Sequence, residues 1–478
     1  MSSLGKSQYS LPIGAGDPLA RRKREWLVRL LVLLVASTIF LPNLGAFGLW
    51  DPWETHYGEV SRNMVETHDW ISPWWGYRTK IGDKGKQGNY FFSKPILIFW
   101  TEATAIKIFG FSDWSVRLPM AVMAIMAVFL AYLTFSKIIN RKTGLLAALI
   151  LATAPQFFYL ARQAQTDMPF VATMTVALLF FMLGVLGPDE KSSNSRCFIK
   201  LLLSLFFFSS ALGTQLGIIA TDLFANRAPE AGSAIGRFFF QSERNGVLHA
   251  VIYGVVGLLV VLSVLLPVWK HFRQNKGLTP EFKDRWIRNV YLMCFYIFAA
   301  WATLAKGLLG FMLPGAIIFL FVLATNRWRV LKDLWIPRGL IVFLLIGLPW
   351  YVAMFVKHGN AFYARFFIHD HFNRLGTGVH AIDSGTFEHF IRWLGFGVFP
   401  WVAFVPLVLV LVIGLRLKER TRENQMSLFL FFWFFVSYLL FTLASTKFHH
   451  YIFPALPPLT FLIAWSVISS LKKSNTLT

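Results

Sequence analysis

The sequence predicts an all-α polytopic membrane protein of about twelve transmembrane helices, with interfacial helices in the first loop outside the cytoplasm. Three observations carry this. Of 478 residues, 56% are hydrophobic and 15% charged, where a soluble domain carries about 25% charged residues. Apolar runs of roughly 18 to 25 residues recur along the chain, each long enough to cross a bilayer. Lys and Arg cluster in alternate loops, as cytoplasmic retention of basic flanks predicts. That asymmetry accounts for a net charge of +22, and with no soluble basic domain to carry it nucleic-acid binding is excluded. The two cysteines, Cys197 and Cys294, lie at or inside apolar segments and give no disulfide framework.

Taken in order, residues 1–25 form a cytoplasmic tail ending in Arg21, Arg22, Lys23 and Arg24. A membrane-embedded domain spans 26–470, and 471–478 is a second cytoplasmic tail. The run from Leu27 to Phe47 is too long for a cleaved signal peptide and reads as a retained first helix. It leads into the outside loop 48–112, the longest acid-bearing stretch outside the hydrocarbon. Asp51, Glu54, Glu59, Glu66, Asp69 and Asp83 fall in it, from 24 acids in all. Within it, Glu54–Val65 has its apolar residues near helical spacing. Ile96–Phe109 is apolar but short and suits a helix lying in the interface. Trp70, Trp74, Trp75, Tyr77 and Trp100 supply headgroup-level aromatic anchors. Further crossings are expected at 114–138, 144–161, 168–187, 198–220, 247–269, 289–304, 308–325, 339–356, 390–414, 427–444 and 452–470. Region 188–290 reads as an insertion holding two of these. A second long outside loop, 357–388, carries His358, Arg365, His369, Asp370, His371, Arg374, His380 and Asp383. No internal repeat is visible, which counts against a secondary transporter.

Several residues in this frame suit chemistry. Asp51 and Glu54 sit at the mouth of the first crossing. Asp51 reads either as an N-cap before Pro52 or, with Glu54, as a base that deprotonates an acceptor. Asp167, in Thr166-Asp167-Met168-Pro169, reads as a cap or as an acceptor-binding acid, since ionisable groups at the membrane mark sites. Lys94, Lys306, Arg365 and Lys447 fall on the outside face. Singly each is a snorkelling anchor; together they are counter-charges for a phosphate. His56, Tyr57, Glu59, His369 and His371 line the two substrate loops. No firm metal-ligand spacing appears and no cofactor is firmly implied, though His369-Asp370-His371 and His449-His450 leave a divalent metal as a second reading.

These residues also fall in a family pattern. Asp51-Pro52-Trp53-Glu54 with Tyr57 and Glu59, Tyr90-Phe91-Phe92-Ser93-Lys94-Pro95, Gln165 to Pro169, Ala305-Lys306-Gly307, Pro349-Trp350-Tyr351, His369 to Phe372 and Ser445 to Pro458 occur in one order. Together they resemble the bacterial type C glycosyltransferases, the family of lipid A aminoarabinose and protein O-mannosyl transferases. The resemblance covers most of 49–187 and 300–470. It implies the type C glycosyltransferase fold, a polyprenyl-phosphate sugar donor, an extracytoplasmic active site, inversion at the anomeric carbon, and Lys94 on the lipid phosphate. The acceptor it implies is lipid, glycan or protein.

Three positions depart from the pattern. Trp53 replaces the family's catalytic acid, so Asp51 or Glu54 takes that role or the chemistry differs. His56 replaces an arginine. Ser93 replaces a glutamate that ligates metal in some members, which argues against a metal here. No large outside domain is expected after the last crossing. The competing reading is a non-enzymatic transporter or lipid flippase of a surface-polymer pathway; it needs charges in mid-membrane, whereas the acids here gather at one face.

Overall fold

In the computed structural model the described residues are 18–77, 88–189, 193–224, 243–373, 387–445 and 447–477. Asp83, Arg374, His380 and Asp383 lie outside them. Seven helices are long and apolar enough to cross a membrane, and up to ten crossings result if each of three bent helix pairs is one span. Several expected crossings fall on single long helices. Among them are α4 (Asp113–Ile138), α7 (Asp167–Val185), α8 (Asn194–Phe224), α9 (Glu243–Asn275) and α10 (Pro280–Lys306).

Local chemistry explains the boundaries. α4 opens with a capping box, Ser112 accepting the Ser115 N–H and Ser115 returning to the Ser112 N–H, which satisfies two of the helix's orphan donors. α10 opens on Thr279, whose hydroxyl accepts the Phe282 N–H, with Pro280 next in the first turn that tolerates it. It closes at Gly307, whose φ of +68° a side chain would resist.

Five expectations need correction, among them the crossing at 339–356, which bends by 43° between Ile336–Gly347 and the helix that opens at Pro349. The first helix, α1, runs Pro18–Phe40 rather than to Phe47; Pro42, Asn43 and Gly45 break the run. The expected crossing 144–161 is two helices, α5 (Arg141–Thr153) and α6 (Pro155–Ala161), bent by 65° at a proline that has no N–H to continue the ladder. The crossing at 390–414 is likewise broken, by 112° between Phe387–Gly397 and Trp401–Ile413, with Pro400 in the gap. Nor is the chain purely helical: β1 (Trp74–Tyr77) pairs antiparallel with β2 (Gly88–Tyr90). The sequence Trp74-Trp75-Gly76-Tyr77 has the aromatic content that fits a strand, and Gly76 takes φ +104° where the register slips.

The first loop folds into α2 (Trp53–Thr67) and α3 (Leu97–Phe109). α3 does not lie open. Leu97, Ile98, Phe99, Trp100 and Glu102 are buried, and Ser61 of α2 donates to Glu102 at 2.7 Å. Burial holds the Glu102 carboxyl well above the usual carboxylate range, since an unpaired buried charge is costly. In the core, α7 packs along α10 more extensively than any other helix pair does.

Candidate active site

The α7–α10 packing creates the site. α7 begins, and α10 ends, at the same level. Asp167 stands in the first turn of α7 and Lys306 in the last turn of α10. An acid at a helix N-terminus and a base at a C-terminus each complement the helix dipole. The antiparallel packing then brings Lys306 Nζ to 2.9 Å from Asp167 Oδ1. His450 Nε2 lies 3.8 Å from Asp167 Oδ2, and Lys306 Nζ also reaches Thr166 Oγ1 at 3.4 Å. Thr166, the residue before α7, makes no side-chain cap. The capping alternative for Asp167 is therefore corrected: its carboxylate serves Lys306.

A small pocket opens on this pair. Asp167, Lys306, Lys94 and His450 supply its charged and titratable wall, and Trp53, Tyr57, Phe448 and Tyr451 its aromatic wall. Two lysines thus converge where a single anion would meet both. Arg365 and Lys447 do not line it. Arg365 reaches His369 at 3.1 Å and Asp370 at 3.4 Å.

Glu54 and Asp51 are placed in opposite circumstances. Glu54 is fully buried and pairs with the fully buried Arg117 at 2.6 Å. Arg117 Nε donates to its Oε1 at 2.8 Å, and the N–H groups of Trp50 and Ala164 donate at 2.9 and 2.7 Å. A carboxylate has about four lone-pair sites, and all are taken. In this structure Glu54 is the anion of a buried ion pair. Arg117 spends its remaining N–H groups on the carbonyls of Leu44, Phe47 and Gly48. This cluster ties the end of the first crossing, α2 and α4 to Ala164, three residues before Asp167. Asp51 is exposed, and its carboxylate accepts the Thr55 hydroxyl at 2.8 Å. It caps nothing, because the residue at the cap of α2 is Pro52; that alternative too is corrected.

The remaining candidates sit around this centre. Tyr57 is buried and faces the pocket. His56 packs edge-on against Trp75, ring centroids 4.4 Å apart. Glu59 is held below the usual carboxylate range by its hydrogen bond from Arg62. His371 packs over Gly307, where an added Cβ would collide with its ring; His369 turns away to Arg365. The segment Ala364–Asn373 is a π-helix, so the two histidines do not share the face an extended strand would give them. Among the described residues no three of His, Cys, Asp and Glu gather as a metal would need. Sequence reading missed Arg117 and gave His450 only as a metal candidate.

A second ion pair braces the loop from behind. Asp69 lies 3.4 Å from Lys357 Nζ and accepts the N–H groups of Ile71 and Ser72, both at 3.0 Å. Burial pushes its carboxyl up, but Lys357 and the two N–H donors outweigh it and hold the group below the ordinary 3.8. A depressed carboxyl contributes stability above its unfolded value and loses it as pH falls through the folded one. The thermal midpoint is expected to fall below pH 4 in the wild type, and less steeply in Asp69→Asn, followed by melting in detergent.

Comparison with known proteins agrees with the motif pattern. Residues 93–213 match the family model of dolichyl-phosphate-mannose-protein mannosyltransferase. The undecaprenyl phosphate-alpha-4-amino-4-deoxy-L-arabinose arabinosyl transferase of Pseudomonas paraeruginosa is 22% identical over 456 residues, 95% of this chain and 62% of that protein. Its counterpart in an Enterobacter species is 23% identical over 436 residues, 91% of this chain and 58% of that one. The chain therefore spans about three fifths of the length of the curated relatives it matches. The crystal structure of ArnT from Cupriavidus metallidurans bound to undecaprenyl phosphate superposes with a TM-score of 0.62 at 20% identity, over 93% of this chain and 60% of that one. In sequence motifs and in membrane fold the chain resembles the type C glycosyltransferases.

Proposed function

We propose that the chain is an inverting glycosyltransferase that takes a sugar from a polyprenyl-phosphate donor and passes it to an acceptor outside the cytoplasm. The observation that carries this is the meeting of Lys94, Lys306 and Asp167 in one pocket, together with relatives named for an undecaprenyl-phosphate sugar. The setting is the bacterial inner membrane. The chain crosses it twelve times if the shorter apolar helix Leu309–Thr325 and α1 join the ten crossings counted above. The two long loops then lie outside, with α2 and α3 at the interface.

In this reading the donor phosphate docks on Lys94, with Lys306 behind it. The acceptor oxygen or nitrogen attacks the anomeric carbon on the face opposite the phosphate. The glycosidic bond to phosphate breaks as the new bond forms, and the lipid phosphate leaves carrying the electron pair. Charge growing on that phosphate is stabilised by lysines already in place. Asp51 takes the acceptor's proton. It is exposed and two residues from the pocket-lining Trp53, while the Glu54 carboxylate is taken up by Arg117 and two backbone N–H groups. Asp167 fixes Lys306 and orients the acceptor. The relatives' names specify an undecaprenyl-phosphate sugar donor, and the acceptor is a lipid, a glycan or a protein. A divalent metal has no part in this scheme.

The test is Asp51→Asn in nanodiscs with an undecaprenyl-phosphate sugar. Loss of a general base predicts transfer slower by about 10²–10⁴ with donor affinity unchanged. Full activity in Asp51→Asn removes Asp51 as the base, and membrane-impermeant labelling that places position 51 in the cytosol removes the whole reading.

A further inference from the structure

A second cavity lies far from this pocket. It has a volume of about 230 Å³ and opens between α9, α10 and the helix Ile336–Gly347. Trp286, in its wall, is 20 residues from Lys306 on the same helix. At 1.5 Å per residue the two sites are about 30 Å apart, a full hydrocarbon thickness. The cavity therefore sits at the opposite face, among the basic loops.

Its lining is divided. Val264, Phe282, Val290 and Met293 supply its apolar lining, and Arg285, Asn289 and Arg338 its polar and charged lining. Both arginines are exposed and make no ion pair among the described residues. The Trp286 indole N–H, in the wall, has no acceptor among the described residues, although buried Trp N–H groups usually find one. Among the described residues no acid lines the cavity, and the charged side chains in its wall are both arginines.

The surroundings are those of a lipid boundary. α8 and α9 are the least enclosed of the candidate spans. Leu258, Leu259, Leu266 and Trp269 of α9 are exposed, as hydrocarbon contact requires. Trp269 with Arg273 and Trp335 with Arg338 make cation–π pairs at the same end, 5.4 and 5.2 Å apart, the aromatic and basic belt of a headgroup region. A pocket with an apolar lining and two cationic side chains matches one occupant, a lipid with a phosphate head.

We infer that this cavity binds one anionic glycerophospholipid of the cytoplasmic leaflet, its phosphate between Arg285 and Arg338 and an acyl chain along Val264, Val290 and Met293. The inference needs only the membrane reading of the fold and is independent of the transferase reaction. A lipid seated there bridges the peripheral α9 to the core helix α10.

The full chain in detergent micelles is titrated with dioleoyl phosphatidylglycerol or dioleoyl phosphatidylcholine, and retained lipid is counted by native mass spectrometry. The wild type is expected to keep one phosphatidylglycerol that Arg285→Gln/Arg338→Gln binds at least tenfold more weakly, and to keep no phosphatidylcholine there. Arg285→Lys/Arg338→Lys, which preserves the charge, is expected to keep most of the binding and guards against a misfolded glutamine variant. Equal retention in wild type and the glutamine variant, or equal retention of the two lipids, overturns the inference. So does displacement by millimolar inorganic phosphate, which would make the ligand the free anion.

Discussion

Replacing Arg117 by Ala is expected to destabilise the protein by about 3–5 kcal/mol, the range found when one partner of a buried ion pair is removed. Every N–H of its guanidinium is used: two groups go to Glu54 and three to the carbonyls of Leu44, Phe47 and Gly48. The variant leaves Glu54 buried as an uncompensated anion and strips three carbonyls of donors. Lysine is no remedy, because one ammonium cannot reproduce a planar fork of five donors. Glu54→Gln should fall in the same class, since it leaves the Arg117 charge unpaired. The measurement is the thermal midpoint and the folded yield in detergent, taken beside transfer activity. An Arg117→Ala protein as stable as the wild type sinks the anchor. A Glu54→Gln protein that is stable but inactive hands the catalytic role back to Glu54.

The anchor also shows what the sequence reveals and what it hides. Apolar length and the alternation of basic loops locate the spans because hydrocarbon thickness imposes a length on each element. That is why the positions of α4 and α7 come out within a few residues. The breaks at Pro155 and Pro400 are written in the sequence as prolines, but an apolar window does not register a bend. Lys94, Lys306 and Asp167 are legible as charges at span ends. Their convergence is not, because it depends on α7 and α10 packing antiparallel from starts 113 residues apart. Glu54 misleads for the same reason: its partner lies 63 residues on, in an otherwise apolar helix. One signal was available. Arg117 is a lone charge within an apolar span, and such a residue needs a buried partner. Asking which acid could reach it leads to Glu54 or Glu102. Only Glu54 has an Ala164 N–H to complete its set.

Lys94→Ala is expected to lower transfer by about 10²–10³, the loss seen when one preorganised stabiliser of developing charge is removed. The effect should divide in a particular way. Lys94 meets a phosphate that is charged before the reaction and more charged on leaving, so both donor affinity and turnover should fall. Lys94→Arg keeps the charge but not the compact head, and should recover part of the affinity and less of the rate. Lys306 cannot substitute, because Asp167 holds it at 2.9 Å and neutralises much of its field. That pairing predicts a further contrast. Asp167→Asn releases Lys306, so donor phosphate should bind more tightly while transfer still falls, since the acceptor loses its orienting acid. Measuring donor affinity and single-turnover rate separately for the three variants decides the matter. Unchanged donor affinity in Lys94→Ala would move the phosphate site elsewhere, and weaker binding in Asp167→Asn would mean that the carboxylate, rather than restraining Lys306, is what holds it in place for the donor.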